Sequence, residues 1–156
     1  MSRGAAPVVV RRESLLPVPA DVVWARVTTA DGINHELGPW MSMSLPAGAD
    51  TLDIASVTPT VHLGRSWIRL FGVLPVDFDD ISITELEPGR RFLEQSRMLS
   101  APVWQHERVV DPVGDDSCHV RDVVTFTPRA ALRPVAPRVV GALFSHRHRR
   151  LQQYWV

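Results

Sequence analysis

Phe92–Val110 reads FLEQSRMLSAPVWQHERVV. Two strand-like runs, Arg91–Leu99 and Val103–Val110, flank Ser100, Ala101 and Pro102, and so short a link turns the chain back antiparallel to itself. Side chains alternate faces along a strand. Glu94, Ser96 and Met98 therefore share one side of the first run, and Trp104, His106 and Arg108 share one side of the second. A carboxylate, an imidazole and a guanidinium are thus spent on one strand pair, on sides that also carry Met98 and Trp104.

Working outward, the same signal repeats. Thr51–Val57, Arg65–Phe71, Val76–Glu87 and Cys118–Thr127 read as strands, separated by GVLP, EPGR and PVGDD, which hold the residues that tight connections need. Short links between consecutive strands imply a meander rather than crossovers through helices. Val120, Asp122, Val124 and Phe126 form the more apolar side of the last strand, which should face inward and bury Asp122. Before the meander, Val8–Leu16 reads as a strand stopped by Pro17 and Pro19. ADVVWARV then suits a short helix with Pro19 in its first turn, and a second short helix runs from Asp31 to Leu37, ended by Gly38 and Pro39. PWMSMSLPAGAD reads as a loop with a brief extended piece at Trp40–Leu45. From Pro137 to Val156 the period becomes helical, with Val140, Phe144, Leu151 and Tyr154 on one side. The plan is α+β: a curved antiparallel sheet of about six to seven strands with two short helices after the first strand, whose open face only the long C-terminal helix can cover.

Composition narrows the function classes. The chain has 156 residues, which predicts a single domain, and is 45% hydrophobic and 22% charged. Seventeen basic residues balance seventeen acidic ones, so no overall field draws nucleic acid or a membrane surface. Every basic residue is Arg, which removes a lysine Schiff base from consideration. The lone Cys118 suits a reducing compartment and reads as a packed small residue. The N-terminus lacks the look of a signal peptide, and no apolar run reaches the roughly 20 residues that span a bilayer, so a cytoplasmic protein is expected. SHRHRR has too few basic groups for a nucleic-acid surface and reads as a solvated helix face. DFDD, Asp77–Asp80, reads as solvent-side, with Phe78 inward. Neither a metal nor a cofactor is expected: the HRHR histidines are two apart and diverge on a helix, and no catalytic elbow or nucleotide loop occurs.

VVVRRESLLPVPADVVWARVTT, GVLPVDFDDISITELEPGRRFLEQS with WQHER, and ALFSHRHRRLQQYW resemble, in order, the first strand and helix, the middle strands and the last helix of the START-like helix-grip (SRPBCC) superfamily, which includes polyketide cyclases. The resemblance spans nearly the whole chain. It implies a sheet wrapped around the last helix, with a cavity between them for a small hydrophobic or amphipathic molecule that is polyketide-, sterol- or lipid-like. A shared fold does not by itself carry an activity.

Against that expectation the ionic residues form a candidate site. At 100° per residue Arg147 falls within the apolar stripe of the last helix, and an inward Arg must be paired, with Glu94 or Asp122 as the candidate partners. We therefore expect a polar cluster of Glu94, His106, Arg108, Asp122 and Arg147 inside an apolar space. His106, Asp122 and Glu94 are the candidate catalytic groups. Trp40, Met41, Met43, His35, Trp67, Trp104, Arg108, Phe126 and Arg147 are the candidate ligand contacts, with His35 and Glu36 placed to meet a polar ligand end. Three functions stay open. The first is a carrier or sensor. The second is a cyclase or dehydratase with His106 as general base, oriented by Asp122 or Glu94, and Arg108 or Arg147 stabilising enolate charge. The third is a ligand-free module that dimerises through a sheet edge. A cluster that only pins helix to sheet is the structural alternative, and a monomer or a homodimer is compatible with the sequence.

Overall fold

The computed structural model describes residues 6–46, 49 and 51–155. Seven strands form one antiparallel sheet: β1 (Val8–Leu16), β2 (Met41–Met43), β3 (Val61–Leu70), β4 (Leu74–Glu87), β5 (Arg91–Met98), β6 (Val103–Val113) and β7 (Ser117–Thr127). Their spatial order is β1-β7-β6-β5-β4-β3-β2, so the first strand closes against the last while β3 to β7 follow as the expected meander. Two helices, α1 (Ala20–Val27) and α2 (Ala30–Leu37), follow β1, and α3 (Ala136–Tyr154) ends the chain against β1 and α2. This is the helix-grip plan.

Local chemistry explains the elements. The Thr29 side chain caps α2 by accepting from the Gly32 amide. Pro19 stands one residue ahead of α1 rather than in its first turn, and Pro137 occupies the first turn of α3. Gly89 and Gly114, at φ 78° and 68°, supply the left-handed backbone of the β4–β5 and β6–β7 turns. Register shifts at His62/Gly64 and Ile68/Arg69 on β3, and at Ile83/Glu85 on β4, are the bulges that bend the sheet around α3.

Three expectations needed correction. Thr51–Val57 is not a strand; Ile54–Ser56 forms a short 3-10 turn because Asp53 accepts from the Ala55 amide and the Ser56 hydroxyl. β6 extends past Val110 to Val113 despite Pro112. Its pairing with β5 ends at Val109, so the missing proline N–H faces no strand there. Phe78 points outward, stacked with Trp67 (ring centroids 6.0 Å) beneath Arg65. Asp79 consequently points inward with Ile81 and Ile83 and is 7% exposed.

The core divides in two. One part gathers α1, α2 and the β5–β7 turn end around Val23, Trp24, Ile33 and Ile83. The other gathers Ile68, Met98, Trp104, Phe126 and Phe144. The space between the two is not filled.

Candidate functional site

Between the sheet and α3 lies a cavity of about 340 Å³. Ile33 and Leu37 of α2, Met41 and Met43 of β2, and Leu143 and Phe144 of α3 supply apolar wall, and most of its surface is apolar. Its polar groups are concentrated: Asp77 and Asp79 of β4, Glu94 of β5, Ser100, His106 of β6, and Arg147 of α3.

Behind this polar side runs a buried ionic ladder set by register. Glu94 stands directly opposite His106, and Arg108 directly opposite Asp122, on the concave face of the sheet. Arg108 is fully buried. Its Nε and Nη2 donate to Asp122 Oδ1 and Oδ2 at 2.8 and 2.7 Å, and its Nη1 and Nη2 donate to Glu36 Oε2 and Oε1 at 2.9 and 2.8 Å. Two bidentate pairs on one guanidinium satisfy a charge that would otherwise be prohibitive to bury. Asp122 also accepts from His106 Nε2 and His148 Nε2, each at 2.7 Å, and His148 Nδ1 meets Ser14 Oγ at 2.7 Å. Arg147 Nε donates to Glu36 Oε1 at 3.0 Å. The ladder thus ties α2, β1, β6, β7 and α3 together.

Burial opposes ionisation of Asp122, but Arg108 and then His106 outweigh it and hold the carboxyl well below its usual range. Glu36 is lowered in the same way, burial being overcome by Arg108 and Arg147. Burial likewise opposes the His106 imidazolium, yet Asp122 and Glu94 raise its pKa above the ordinary value. His106 Nδ1 lies 3.7 Å from Glu94 Oε2, so both ring nitrogens face carboxylates. Glu94 is held low by His106, Asp79 and Ser96 against its burial. Asp79 moves the other way: burial first, then the neighbouring Glu94, push it well above the carboxylate range. No donor reaches its buried Oδ1 among the described residues.

The structure therefore brings Glu94, His106, Arg108, Asp122 and Arg147 into one network, with some roles exchanged. Arg147 pairs with Glu36 rather than with Glu94 or Asp122. Glu94, Trp104, His106, Arg147, Met41 and Met43 line the cavity; Arg108 and Asp122 lie behind it in the ladder. Phe126 is buried behind Trp104, with ring centroids 5.5 Å apart. Trp40 is 57% exposed against Phe71, Trp67 is 42% exposed on the convex face, and His35 stacks on Tyr154, so none of these three lines the cavity. Two buried members of this site, His148 and Asp79, were missed, and Glu36, expected to meet a polar ligand end, instead pairs with Arg108 and Arg147. Glu36 follows Ile33 by three and precedes Leu37, and His148 follows Phe144 by four, so helical spacing marked both as inward. Asp79 shares its strand side with Ile81 and Ile83. Nor is SHRHRR a solvated face: His146 Nε2 meets Gly38 O at 2.7 Å and Arg150 Nε donates to His35 O at 3.0 Å, satisfying carbonyls at the end of α2. Among the described residues, no group of three or more His, Cys, Asp and Glu could hold a metal ion.

The pattern of the family described as Domain of unknown function (DUF8410) matches residues 14–155. The chain belongs to that family. No curated protein sequence matches it. Among solved structures it is similar to protein CV1439 from Chromobacterium violaceum, with TM-score 0.73 and 14% identity over 94% of this chain and 96% of that one. A START superfamily protein from Mycobacterium smegmatis gives TM-score 0.68 at 9% identity, covering 94% and 96%. Truncated norcoclaurine synthase from Thalictrum flavum gives 0.66 at 11% identity, covering 99% and 96%. At such identities the likeness establishes the fold alone, and this chain takes the START-like helix-grip form.

Proposed function

We propose that the chain binds a small hydrophobic or amphipathic molecule in the cavity beneath α3, as a carrier or sensor. The observation that carries this reading is the hollow itself. Protein interiors pack as densely as organic crystals and keep few voids larger than a water. A space of about 340 Å³ with mainly apolar walls and one polar end is at the small end of ligand-site volumes. Polyketide-, sterol- and lipid-derived compounds are the candidate classes, and the START-like neighbours support the same reading by fold alone.

The general-base alternative draws less support. A base needs an imidazole nitrogen with a free lone pair, whereas His106 directs Nε2 to Asp122 and Nδ1 toward Glu94, and its pKa is raised. Native mass spectrometry of the purified chain tests the proposal. We expect a population carrying one small-molecule adduct that is released on denaturation, or that forms on adding the neutral fluorophore N-phenylnaphthylamine. Bare polypeptide mass under both conditions would refute ligand binding.

A further inference from the structure

The polar end of the cavity is built from acceptors. Asp77, Asp79 and Glu94 all contribute to its lining. Asp77 is fully used: Oδ1 accepts from the amides of Phe78, Leu99 and Ser100, and Oδ2 accepts from the Ser100 hydroxyl. Glu94 Oε1 accepts from Ser96 Oγ at 2.9 Å, and Oε2 faces His106 Nδ1. Asp79 alone is left over. It is more than nine-tenths buried, its Oδ1 has no partner among the described residues, and it lines the cavity. Of the cations facing this end, His106 of β6 turns both ring nitrogens to Asp122 and Glu94, and Arg147 of α3 gives its Nε to Glu36; neither is paired with Asp79.

We propose that the group recognised here is an ammonium, so that the ligand is a cationic amphiphile, an alkyl or aryl amine, whose nitrogen donates to the unpartnered carboxylate oxygen of Asp79. This rests on the cavity being a ligand site and specifies its head group. The local charges favour this pairing. Glu36, Asp122 and Glu94 each face a cationic partner in Arg108, Arg147 or His106, whereas Asp79 faces none among the described residues. Burial and the neighbouring Glu94 raise the Asp79 pKa, so an ammonium that pairs with ionised Asp79 supplies the missing partner and displaces its proton to solvent. A hydroxyl could donate to Asp79 but brings no charge-assisted bond. A carboxylate would meet Glu94 and an acidic wall.

Isothermal titration calorimetry of the full chain with octylamine, octanol and octanoate at neutral pH tests this. Octylamine should bind about tenfold or more tightly than either competitor, and its heat should vary with buffer ionisation enthalpy as the release of about one proton requires. Asp79→Asn should abolish the amine preference and the proton release while retaining octanol affinity. The proton count on the native chain needs no variant. Equal affinity for octylamine and octanol, or amine binding without proton release, would overturn the ammonium assignment and leave the cavity reading standing. Preference for octanoate would overturn it likewise and shift recognition to Arg147. Failure of all three to bind would remove both readings together.

Discussion

Arg108 shows how much a single side chain can be asked to hold. Both its carboxylate partners are 1% exposed or less, so truncating it strands two buried negative charges. Arg108→Ala should lower unfolding free energy by about 3–5 kcal/mol in urea denaturation; a loss within error of zero would mean that water or Arg147 compensates freely. His106 is the readable reporter of the ladder. Asp122 is the chief group opposing its desolvation, so Asp122→Asn should shift its NMR titration downward, and an unchanged titration would remove the coupling. Five of the cluster's members, Glu94, His106, Arg108, Asp122 and Arg147, were legible from strand alternation and from the helical position of Arg147. Their pairing was not, because the choice between Glu36, Glu94 and Asp122 depends on how α2 docks against α3, which no local pattern encodes.

Elements are fixed to one another as much by close approach as by polarity. A Cβ on Gly32 would lie 2.0 Å from the Arg26 carbonyl oxygen, because the first turn of α2 sits directly on the end of α1. Gly32→Ala should therefore destabilise by about 1–3 kcal/mol, seen as a lower urea midpoint; an unchanged or higher midpoint would show that the two helices can separate at no cost. The meander and all three helices were legible because each strand is bounded by turn residues and α3 keeps its period over five turns. Thr51–Val57 misled because its branched residues look extended, while the decisive feature is one Asp53 side chain capping a tight turn. DFDD misled for a related reason. A run of acids reads as solvated, yet Asp79 keeps step with Ile81 and Ile83, and the period outranks the polarity.

For the whole molecule, the ladder imposes a pH signature with two limbs. His106 has a raised folded pKa, so its stabilisation is complete below the unfolded value of about 6.5 and disappears as pH rises through the folded one. Asp122 and Glu36 are lowered, so theirs is present above the ordinary carboxylate range and lost as pH falls through their folded values. The thermal midpoint should fall as pH rises above about 6.5, and Asp122→Asn should flatten that fall; a midpoint that rises on this alkaline side would contradict the assignment. No helix among the described residues is long and apolar enough to cross a membrane. What the molecule does contain is a hollow that its core leaves open. Leu143 projects from α3 into that hollow and is only partly buried, so enlarging it should block the space at little cost to the fold. Fluorescence titration with N-phenylnaphthylamine on the wild-type chain and on Leu143→Trp is the most direct measurement. Saturable binding of one fluorophore per wild-type chain, weakened about tenfold or more in the variant at an unchanged unfolding midpoint, is the expected result. Equal binding by both chains, or none by either, would contradict a ligand site beneath α3.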